Sequence, residues 1–88
     1  MNIPTTKKTI PELWEIYTTK LYLTRKDIEA IFSVGPTYAG RLKQIAKDRE
    51  KELGLTEYSK QTVRTREAFI SWGIDPKELQ RRVKETKK

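Results

Sequence analysis

Apolar residues fall at three- and four-residue spacings in several stretches, each preceded by a helix start signal. Thr9-Ile10-Pro11-Glu12 sets a hydroxyl at the cap, a proline in the first turn and a carboxylate three residues on. It predicts a helix over 10–19 with Leu13, Trp14 and Tyr17 on its apolar side. Thr24-Arg25-Lys26-Asp27 opens a second helix, which carries Ile28, Ile31 and Phe32 and then meets Ser33-Val34-Gly35. Pro36 suits the first turn of a third helix, the longest, running to about Leu53 with Gly54 at its C-terminal cap.

Residues 55–64 lose the helical period and mix β-branched, aromatic and polar side chains. A small hairpin is expected there with Ser59-Lys60-Gln61 at its tip, although no Asn-Gly or Asp-Gly fixes the turn. Tyr58 is expected to fill space beneath that hairpin. Thr65 reads as the cap of a short helix, Arg66 to Trp72, that Gly73 stops, with Trp72 in the core. Asp75-Pro76 opens a last helix with Leu79 and Val83 on one side. The expected fold is therefore mainly α, a winged helix-turn-helix with a short β-hairpin wing and an additional C-terminal helix. Its parts are a flexible N-terminal arm (1–8), the winged domain (9–75), and a basic helix and tail (76–88).

Composition narrows the chemistry. Cysteine and histidine are both absent from the 88 residues, which removes disulfides, thiolate metal sites and the commonest general base. Without a glycine-rich phosphate loop either, no enzyme and no cofactor are expected. No apolar run reaches the roughly 18 residues of a membrane span, and the first residues lack the apolar stretch of a signal peptide. Lys and Arg number 19 against 12 Asp and Glu, a formal charge of +7. Such an excess suits a polyanionic partner. It is spread along the chain, with the largest share in residues 75–88.

The constellation that carries function spans the second and third helices. In a helix-turn-helix the inner faces of both helices are apolar and one residue plugs the turn. Ile28, Phe32, Val34, Ala39 and Leu42 occupy those slots. Two slots differ from the usual pattern: Glu29 stands where a small residue is normal, and Ser33 where the turn normally has glycine. By subtraction Thr37, Gly40, Arg41 and Gln44 point outward, as base-reading residues in a major groove. An arginine fork suits guanine, a glutamine amide suits adenine, and Gly40 allows close approach or, alternatively, close contact within the fold. Gly35, Lys43 and Lys47 are candidates for the DNA backbone. On the wing, Lys60 and Arg64 would supply cations, with Gln61 and Thr62 as polar helpers.

The run Thr24-Arg25-Lys26-Asp27-Ile28 and the later run Ala39 to Lys47 resemble the small excisionase-like winged helix-turn-helix proteins of mobile elements. Leu53-Gly54, Tyr58, Val63-Arg64-Thr65 and Ala68 to Ile74 extend the likeness over about residues 22–75. The resemblance implies a MerR-like fold, a bacterial cytoplasmic, nucleoid-associated location and double-stranded DNA as partner. It further implies an excisionase that binds near attachment sites, assembles cooperatively on DNA and directs a tyrosine integrase to excision. It matches Thr37, Arg41 and Gln44 to groove-facing residues, and Lys60 and Arg64 to the wing. The alternatives are a small phage-type transcriptional regulator, or a protein-interaction module that binds an acidic partner such as a host factor.

Overall fold

Helix α1 (Ile10–Thr19) starts on a complete capping box, in which Thr9 N–H donates to Glu12 and the Thr9 hydroxyl accepts from Glu12 N–H. The same device starts α2 (Arg25–Phe32), built from Thr24 and Asp27. Each box satisfies two amides that a bare helix start leaves open. Between the two helices lies a strand that local pattern does not announce, β1 (Tyr22–Thr24). After the long α3 (Pro36–Glu52) come β2 (Thr62–Arg64), α4 (Thr65–Ser71) and α5 (Pro76–Thr86). This computed structural model describes residues 3–57 and 59–86.

The sheet corrects the expected hairpin. β2 pairs antiparallel with β1, in the register Tyr22 with Arg64, Leu23 with Val63 and Thr24 with Thr62. Residues 55–57 and 59–61 form no strand; they loop back so that β2 reaches a partner on the far side of α2 and α3. The reason is burial. Leu23 and Val63 are opposed and almost wholly inaccessible, whereas a local hairpin would have had a poor turn and little to bury. Tyr58, expected beneath the wing, lies outside the described residues. Thr65 is likewise not a cap: Arg64 holds that position, and the Thr65 hydroxyl is buried without a hydrogen-bond partner among the described residues.

The core gathers Leu23, Ile28, Ile31, Phe32, Ala39, Leu42, Ala46, Val63, Ala68 and Phe69, closed by Trp72. Phe32 meets Trp72 edge-on, with ring centroids 5.1 Å apart. The first and last helices are not appendages. α1 lies against α5, burying Leu13 and Leu79, and Tyr17 reaches Phe69 with centroids 5.6 Å apart. The stretch expected as a free arm also touches the fold: Ile3 rests on the core, and Lys7 N–H donates to the Ile31 carbonyl at 2.9 Å.

Candidate nucleic-acid interface

α2 ends at Ser33, whose φ of 55° and ψ of 51° put a serine in the left-handed region that favours glycine. It is the one non-glycine residue with positive φ among the described residues. The kink bends the chain through Val34 and Gly35 into α3, and Val34 N–H closes the turn on the Glu29 carbonyl at 3.2 Å. Ile28, Phe32, Ala39 and Leu42 are buried, and Val34 is half-buried against them. Glu29 is accommodated at the helix contact by turning its carboxylate to Arg25, 3.5 Å away one turn earlier.

The outer side of α3 is what this arrangement leaves exposed. Thr37, Arg41 and Gln44 are solvent-facing, with Gly40 half-buried between them on the same stripe. A Cβ added at Gly40 would meet nothing within 4 Å, so no neighbour in the fold requires glycine there. Gly35 is the N-cap of α3 and offers no side chain to the first turn. The stripe stops at an acid: the Gln44 amide donates to Asp48, 2.9 Å away. Asp48 is a residue that sequence reasoning passed over, although its i+4 spacing from Gln44 was readable.

The cations divide into two sets. Lys43 reaches over to the Lys60 carbonyl at 3.3 Å, which brings α3 and the 59–61 loop together. Arg25 and Lys26, at the start of α2, share a cleft with Lys43, Gln61 and Thr24. These two residues were missed because only the fold brings the start of α2 beside the middle of α3. Lys60 and Gln61 are exposed at the same edge.

Lys47, Thr62 and Arg64 are half-buried instead. Lys47 is held by the Ser59 carbonyl at 2.5 Å and by Glu57 at 3.4 Å. The Thr62 hydroxyl is buried without a hydrogen-bond partner among the described residues. Arg64 turns inward: its guanidinium donates to the Thr56 carbonyl at 2.7 Å and lies 3.4 Å from Glu50. Glu50, only 5% exposed, also accepts from the Arg64 backbone N–H at 2.8 Å. This part-buried pair fastens β2 and the preceding loop to α3, so Arg64, expected as a wing cation, is engaged within the fold.

Among the described residues, no helix is long and apolar enough to cross a membrane. Comparison with protein families, with curated proteins and with solved structures returns no match.

Proposed function

We propose that this chain is a sequence-specific double-stranded DNA-binding protein of winged helix-turn-helix type, with α3 as the reading helix. The observation that carries the proposal is Gly40. A mid-helix glycine costs about 0.5–1 kcal/mol relative to alanine, and here no contact within the fold offsets it. Its bare position lies between Thr37, Arg41 and Gln44, where a groove wall can come close to the helix. Arg25, Lys26, Lys43 and Lys60 flank that stripe and suit phosphates. The wing in this reading is the 59–61 edge held against β2.

Within DNA binding, the reading extends to an excisionase that assembles cooperatively beside attachment sites and steers a tyrosine integrase, acting in the bacterial cytoplasm at the nucleoid. A phage-type regulator is the alternative role on the same face. A binding selection on genomic fragments tests both. Phased direct repeats near an attachment site support the excisionase, and a palindrome over a promoter supports the regulator. With about four phosphates neutralised, log K should fall against log salt with a slope of roughly −3.5. No enriched site together with a flat salt response would overturn DNA binding and favour an acidic protein partner.

A further inference from the structure

A second group of cations borders an apolar groove on another side of the molecule. Glu67 of α4 pairs with Arg49 of α3, and Trp72, just past the end of α4, donates to the Leu42 carbonyl. Arg66 and Ile70, with Gly73 just beyond the helix, share one face at spacings of four and three residues, beside Glu67. They line a groove of about 700 Å³, walled by Tyr17 of α1 and by Pro76 and Lys77 of α5. Its floor is apolar, from Tyr17, Ile70, Ile74 and Pro76.

The rim carries Arg66 and Lys77 with one carboxylate, Asp75. Arg66 and Lys77 are exposed, and Lys84 follows Lys77 two turns later on the same side of α5. None of the three has an ion pair among the described residues, whereas Arg81 and Arg82 of the same helix are tied to Glu78. Asp75, the carboxylate on the groove wall, is turned onto Lys77 N–H at 2.9 Å, at the start of α5.

We infer that this groove binds a short acidic amphipathic peptide segment of a partner protein. Apolar anchors of such a segment fill the space between Tyr17 and Ile70, and its carboxylates meet Arg66, Lys77 and Lys84. An apolar floor suits a peptide better than a sugar-phosphate backbone, which asks for donors along its whole length. None of the residues lining the groove belongs to α3, so the inference stands independently of the DNA reading.

The test titrates the isotopically labelled full chain with three synthetic peptides of equal length. One is acidic and amphipathic, with Leu and Phe at helical spacing among Glu; the second replaces Glu by Lys; the third is a scrambled acidic sequence. The first should shift the amide signals of Ile70, Gly73, Ile74 and Gln80 and leave those of Thr37, Gly40 and Arg41 in place. The double charge reversal R66E/K77E, at two exposed positions, should weaken it about tenfold or more with the melting temperature unchanged. Ile70→Ala should weaken it without altering charge. Absence of shifts, equal binding of the basic or scrambled peptide, or unchanged affinity in R66E/K77E each overturns the inference. So does duplex DNA moving the groove signals, while DNA acting on Thr37 to Gln44 alone bears only on the reading helix.

Discussion

The indole N–H of Trp72 donates to the carbonyl of Leu42 at 3.0 Å, joining the end of α4 to the middle of α3. The ring that makes this bond also meets Phe32 edge-on, so one side chain holds both helices that flank the Ser33 turn. Trp72→Phe keeps an aromatic ring but loses the donor, and should cost about 1 kcal/mol. Phe32→Ala empties the centre of the core and should cost about 3–5 kcal/mol. Chemical denaturation of the two variants checks the ranking; a Phe32→Ala curve superimposed on the parent would remove Phe32 from the core.

Ser33 bears left-handed backbone geometry that glycine adopts without strain. Ser33→Gly should therefore raise stability by about 0.5–1 kcal/mol, the relief of strain exceeding the added freedom of the unfolded chain. A thermal melt decides it, and a lowered midpoint would mean that the serine hydroxyl contributes something the backbone does not show.

Gly40→Ala should separate stability from binding. The alanine enters open space on α3 and should stabilise the helix by about 0.5–1 kcal/mol. The same methyl group stands where DNA approaches, so affinity for duplex should fall while the melting temperature rises. Improvement in both measurements would show that the bare position serves no ligand.

Arg41 and Lys60 should fail in different ways. Arg41→Ala is expected to cost about 1–3 kcal/mol on the specific site and to relax preference at one base pair. Lys60→Ala should weaken specific and random duplexes by similar factors and reduce the salt slope by about one. Competition on a library of sites reads both. A shifted motif in Lys60→Ala, with uniform weakening in Arg41→Ala, would transfer the reading from α3 to the loop.

The capping carboxylates set the acid sensitivity. Burial pushes the Asp27 carboxyl up, but donation from Thr24 N–H and hydroxyl, with the nearby Lys20 ammonium, outweighs it and leaves the carboxyl below its ordinary value. Glu12 is lowered by the Thr9 N–H and hydroxyl, and Glu78 by Arg81 and Arg82. A carboxylate lowered in the folded state contributes stability that is present above its unfolded value and lost as pH falls through its folded one. Stability should accordingly be level near neutrality and decline below about pH 4. Asp27→Asn should be less stable than the parent at neutral pH and converge with it in acid, as followed by urea denaturation across pH.

Helices were legible because their signals are local. At α1 and α2 a threonine, a carboxylate three residues on and an apolar repeat lie within a few positions of one another, and a proline opens α3 and α5, so all four begin at their start signals. The exposed stripe of α3 followed from the same periodicity, once the apolar slots of α2 and α3 were counted. Arg64 and Lys47 were assigned outward because nothing within several residues of either announces a partner. Glu50 is fourteen positions from Arg64, and the Ser59 carbonyl is twelve from Lys47.

By itself, then, the sequence determined the helical elements, the capping boxes of α1 and α2 and the basic excess, because these are written in the residues and their near neighbours along the chain. Only the tertiary structure decided the pairing of β1 with β2, the docking of α1 on α5 and which cations face solvent. Those choices rest on burying Leu23 against Val63, on Leu13 and Leu79 closing the helix pair, and on Glu50 fastening Arg64. Each requires distant segments to share one space, and the free energy of that burial is not written in any local pattern.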